Sequence, residues 1–107
     1  MADPDKKTKR ALRELAAVAH EEELRRALRE LAGHFDRWRQ GDIDSFELSQ
    51  LIHEFHDGEA REIWKSYDPA NADMAVAGAI NRGIIDRSTV PAEVLEHLSR
   101  LLTFLAE

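Results

Sequence analysis

Apolar residues recur at helical spacing along nearly the whole chain, a pattern that predicts an all-α fold. From about Asp5 to Gln40, strong helix formers run without a proline. Two pairs in this run, Glu21/Arg25 and Glu22/Arg26, stand four apart with the acid first, the better orientation for a helical ion pair. The apolar stripe of this long helix changes direction at Glu21-Glu22-Glu23. Leu12, Leu15, Ala16 and Ala19 cluster on one side, whereas Leu24, Leu28, Leu31, Phe35 and Trp38 form a stripe rotated by about a third of a turn. Either the helix bends there or its two halves face different neighbours.

Further along, Gly41 fits the left-handed residue just past a helix end, and Asp44 or Ser45 fits the N-cap of the next helix. That helix is expected from Ser45 to Asp57, burying Leu48, Leu51, Ile52 and Phe55, with Gly58 as a stop. A short helix over Glu59 to Tyr67 gathers Ala60, Ile63, Trp64 and Tyr67 on one face. Asp68-Pro69 then opens a helix to about Arg82 whose small residues predict a central position, and Gly83 ends it. Pro91 starts a last helix to about Ala106, with Val94, Leu98, Leu101 and Leu105 in line. The expectation is a single domain over residues 1–107, a compact bundle of about five helices whose long first helix is either bent or faces different neighbours along its two halves.

The composition removes whole classes of function. With no cysteine among 107 residues there is neither a disulfide framework nor a thiolate metal site. No signal-peptide pattern opens the chain and no apolar run approaches bilayer length, so a cytoplasmic protein without membrane contact is expected. The net charge of −6 hides an asymmetry. Residues 1–40 carry ten Lys/Arg against eight Asp/Glu, and residues 41–107 carry five against thirteen. The basic cluster Lys6, Lys7, Lys9, Arg10 and Arg13 lacks interleaved aromatics for base stacking, which argues against nucleic acid. The phrase Arg-Ala-Leu-Arg-Glu-Leu-Ala occurs at residues 10–16 and again at 26–32, too few copies for a solenoid.

Candidate chemistry concentrates at the corner after the first helix. Asp36, Gly41, Asp42, Asp44 and Glu47 stand at the first, sixth, seventh, ninth and twelfth places of a twelve-residue stretch, with Phe35 before it and Ile43 at its eighth place. This segment resembles an EF-hand loop, and with Leu48, Leu51, Ile52 and Phe55 the likeness covers roughly residues 28–55. The resemblance implies calcium held by Asp36, Gln40, Asp42, Asp44 and Glu47. Trp38 at the third place offers no oxygen, and Gln40 at the fifth offers a neutral amide. A plain αα-corner asks for the same glycine, the same apolar plug and the same acid in the first turn.

His53, His56 and Asp57 share the polar side of their helix with Phe46 and Gln50. Their spacing would allow two metal ligands or a base with an orienting carboxylate, but no His-Glu-x-x-His or Glu-x-x-His unit supplies further ligands. No nucleophile triad, phosphate loop or catalytic carboxylate pair can be made out. The reading is a non-enzymatic protein–protein interaction module, an adaptor or regulatory subunit needing no cofactor, that binds a protein partner or itself. Leu12, Leu15 and Ala19, on an N-terminal extension over residues 1–19, and Phe46, His53 and His56 are its candidate contact residues. The alternatives are a calcium-binding protein and, more remotely, a metal-dependent enzyme on the His53/His56/Asp57 face.

Overall fold

The computed structural model describes residues 5–106, and every regular element among them is helical. Helix α1 (Lys6–Arg39) is one unbroken helix of 34 residues. At 1.5 Å per residue it is about 50 Å long, and it sets the long axis of a molecule measuring 56 × 26 × 25 Å. The radius of gyration, 17.3 Å, exceeds the roughly 13 Å of a compact chain of this size. The bundle is therefore drawn out along α1, with different partners on its two halves.

The N-terminal half builds the main core. Asp5 caps α1 by accepting from the Thr8 amide at 2.7 Å. Leu12 and Ala19 are buried, with Ala11, Leu15 and Ala16 packed beside them, against α4 (Ala72–Asn81), α5 (Ala92–His97) and α6 (Ser99–Ala106). The expectation that Leu12, Leu15 and Ala19 form a free contact stripe is thus corrected: these side chains close the protein's own core. Residues 5–19 do not protrude, and residues 1–4 of the expected extension lie outside the described residues. Helix α4 packs between α1 and α6, as its small residues predict, burying Ala75, Val76, Ala77, Ala79 and Ile80. Ile85 and Val90, from the link after α4, plug this core together with Val94, Leu98 and Leu102. The last helix is divided at Leu98, yet the row Val94, Leu98, Leu102 stays buried across the division.

The C-terminal half of α1 meets α2 (Ser45–Phe55) and α3 (Arg61–Ser66), which fold back along it as a hairpin. Gly58 is no stop: the chain passes through it in a π turn, His56–Ala60, that joins α2 to α3 in one rod. The physical reason is phase. Phe55 and Ile63 are eight residues apart, about 2.2 α-turns, which would swing Ile63 off the inner face. A π turn absorbs one residue, leaving the equivalent of seven, close to two whole turns. Leu48 and Ile63 are accordingly both buried, with Leu51 and Phe55 half-buried between them. No helix among the described residues is long and apolar enough to cross a membrane.

Candidate functional site

The corner is built by two interlocking caps. Beyond α1, Gly41 adopts φ +82°, the Gly41 amide donates to the Trp38 carbonyl at 3.1 Å, and the Asp42 amide donates to the Arg37 carbonyl at 2.9 Å. This is the 5→2 and 6→1 pattern of a Schellman motif. Asp44 then caps α2 in a capping box: its carboxylate accepts from the Glu47 amide at 2.8 Å, and the Glu47 carboxylate accepts from the Asp44 amide at 3.4 Å. Trp38 latches the two helices by donating its indole N–H to Ser45 Oγ at 3.0 Å. Ile43 plugs the turn at 6 % exposure.

The five residues read as calcium ligands do not converge here. Asp36 is paired with Arg39 at 2.8 Å, Asp44 and Glu47 are engaged in the box, and Gln40 and Asp42 are exposed. Helix α1 continues through Arg39, the fourth place of the loop, so Asp36 and Trp38 project at helical spacing. Among the described residues, no three His, Asp or Glu side chains are grouped to hold a metal ion.

His53, His56 and Asp57 are exposed, as is Phe46 at 87 %. His56 and Asp57 come together with residues the sequence does not connect to them. They line a hollow of about 440 Å³ with His20 and Leu24 of α1 and with Ala60, Arg61 and Trp64 of the rod. His53 does not line it. A second hollow of about 380 Å³ adjoins through Leu24 and runs along α1 past Glu21, Arg25, Leu28, Arg29 and Ala32.

Together these hollows form an open face of the hairpin with apolar side chains uncovered. Trp64 is 72 % exposed, Leu28 47 % and Ile52 38 %. Ile52 and Trp64 share this face through the π turn: twelve residues less the one absorbed is about three whole turns. The stripe Leu24, Leu28, Leu31, Phe35 is legible in the sequence. That α2 and α3 cover only part of it is not.

A polar junction ties this hairpin to the main core. Tyr67 donates its hydroxyl to Glu23 Oε1 at 2.9 Å, Arg82 meets the same carboxylate at 3.0 Å, and the His20 ring stacks on Tyr67 with centroids 4.8 Å apart. Burial, followed by the Glu23 carboxylate, pushes the Tyr67 phenol up to about 12. On the open face Arg25 holds the Glu21 carboxyl below its ordinary range by a 2.8 Å hydrogen bond. Neither Arg29 nor Arg61 has an ion-pair partner among the described residues. No protein-family model matches the chain, and no curated protein or solved structure is significantly similar to it.

Proposed function

We propose that the protein is a small, non-enzymatic helical interaction module, working in the cytoplasm as an adaptor or regulatory subunit, and that it docks a helical protein surface on the open face of the α1/α2–α3 hairpin. The observation that carries this reading is that uncovered Leu28 and Trp64 line two adjoining hollows, with uncovered Ile52 one α-turn before His56 on the same flank of the rod. The exposed apolar area is on the order of 400 Å², the size at which patches on soluble proteins are often functional. Tryptophan and arginine, which dominate interface energetics, stand side by side at Trp64 and Arg61. His56 belongs to this contact face, whereas Phe46 and His53 lie outside the two hollows.

The test is selection from a display library of amphipathic helical peptides. Selected binders should lose tenfold or more in affinity when Trp64 or Leu28 becomes alanine, about 1.4 kcal/mol or above. They should be indifferent to Phe104→Ala, which truncates another uncovered side chain, 68 % exposed, on α6. An absence of binders, or binders insensitive to Trp64→Ala and Leu28→Ala, would sink the proposal.

A further inference from the structure

The open face is matched to itself, and from this we infer that its occupant is a second copy of this chain, the two hairpins closing face to face into a four-helix bundle. The inference rests on the interaction-module reading and names the partner.

Its ground is the level at which the uncovered side chains are centred. On α1 the apolar pair is Leu24 and Leu28, with its midpoint at Arg26. On the rod the pair is Ile52 and Trp64, with its midpoint at Gly58. Ala27 lines a hollow on the other side of the hairpin with Phe55 and Glu59, and Leu24 lines the open face with His56, Asp57 and Ala60. Gly58 therefore stands level with residues 24–27 of α1, and both pairs share one centre.

A two-fold axis lying in the face at that level, perpendicular to the helices, sets each helix against its own copy and reverses its direction. It lays Leu24 on Leu28 of the second copy and Ile52 on Trp64 of the second copy, twice over. The same operation lays Glu21 of one copy two residues, about 3 Å, beyond the level of Arg29 of the other, since these lie five residues before and three after the centre, and the long arginine side chain spans that offset. Arg29, which has no ion-pair partner among the described residues, thereby gains a carboxylate. Such an isologous interface requires a patch complementary to itself, and a foreign helix would have no need of the shared centre.

The area fits as well. Doubling about 400 Å² of apolar surface and adding a polar rim in the usual proportion gives roughly 1,300 Å² in total, within the range of stable interfaces. Each hairpin also gains the second layer it lacks, completing the core of a bundle.

Sedimentation of the full chain from low-micromolar to near-millimolar concentration tests this. The mass should rise from the monomer's 12.2 kDa toward twice that value. Leu28→Glu should remain folded, because Leu28 is 47 % exposed, and should stay monomeric. Glu21→Arg should weaken the dimer about tenfold, and Glu21→Arg combined with Arg29→Glu should bring it back to within about threefold of the parent. Trp38→Phe leaves Trp64 as the single indole, whose emission should move to the blue as the dimer forms.

A mass that stays monomeric with unchanging Trp64 emission overturns the inference, as does a dimer indifferent to Leu28→Glu or a charge swap that fails to recover. If the monomer still retains displayed helices that Trp64→Ala releases, the second copy is refuted and the interaction module stands. If neither dimer nor retained helix appears, both fall.

Discussion

Tyr67→Phe isolates the junction between hairpin and core by removing one oxygen and little else. The hydroxyl donates to Glu23, whose side chain is only 17 % exposed and also meets Arg82. A hydrogen bond to a charged group contributes about 1.5–3 kcal/mol. Arg82 keeps Glu23 partnered in the variant, so the loss at neutral pH should lie near the lower end, about 1–2 kcal/mol by urea unfolding. The pH dependence gives a second reading of the same bond. The folded phenol is raised from 10.0 to about 12, so its contribution is whole below pH 10 and is lost as pH rises from 10 toward 12, where the unfolded chain ionises and the folded one does not. Parent and variant stabilities should therefore converge across that window. The chain has one tyrosine, so phenolate absorbance reports Tyr67 alone and should titrate well above its ordinary value in the folded protein. An unshifted titration, or a Tyr67→Phe variant as stable as the parent at pH 7, would refute the junction.

The caps, the π turn and the core each carry an expected outcome. Asp44→Ala removes the acceptor for the Glu47 amide and should cost about 1 kcal/mol; because Asp44 and Glu47 are engaged in that box, millimolar calcium should leave the parent's melting temperature unchanged, and a saturable rise would reinstate the calcium reading. Gly58 is helical and a Cβ there meets nothing within 4 Å, so Gly58→Ala should stabilise by about 0.5–1 kcal/mol. Deleting Gly58 should turn the π turn into regular α-helix with Phe55 and Ile63 seven residues apart and still on the inner face, changing stability by no more than about 1 kcal/mol in urea unfolding, whereas inserting one residue beside Gly58 should destabilise by about 2–4 kcal/mol because it carries Ile63 off that face. Leu98 is fully buried, and Leu98→Ala should cost about 2–5 kcal/mol by the same measurement.

Much of this architecture is legible because its determinants are local. A Schellman glycine, a capping box and a helical apolar stripe are each set by residues close together in the chain, so the corner at Gly41 and the change of stripe at Glu21-Glu22-Glu23 can be read directly. The same locality explains the misreading of Gly58, a stop by its own propensity but carried through by the need to keep Leu48, Phe55 and Ile63 on one inner face. Glu23 and Tyr67 are 44 residues apart, and nothing near either of them announces the other. Leu12, Leu15 and Ala19 show that an apolar stripe states only that something covers it. Whether the cover is the same chain depends on where α4 to α6 fall. For Asp36 to Glu47, spacing alone fits both a calcium loop and a capped corner; the structure adds the caps, with Asp36 paired to Arg39 and Asp44 and Glu47 engaged in the capping box.

The two halves of α1 differ in how much they bury, and this ties the fold to the proposed docking. The main core encloses Ala19, Val76, Ala77, Ala79, Val94 and Leu98 at no exposure. The hairpin offers only Ala27, Ile43, Leu48 and Ile63 as buried apolar residues, at 2–6 % exposure, and holds to the core through the Tyr67–Glu23–Arg82 junction. Opening free energy follows local burial, so amides of α2 and the π turn should exchange with solvent by local opening, well before those of α4 and α6. If a second hairpin closes on the open face, that opening must compete with association, and protection should grow with protein concentration as the logarithm of the bound-to-free ratio. In the parent, α2 amides should thus slow as the solution is concentrated, while α4 amides change little and Leu28→Glu abolishes the dependence. Uniform protection across both halves at every concentration would mean that the hairpin is held by its own chain alone, and that the uncovered Trp64 and Leu28 need no partner to be stable.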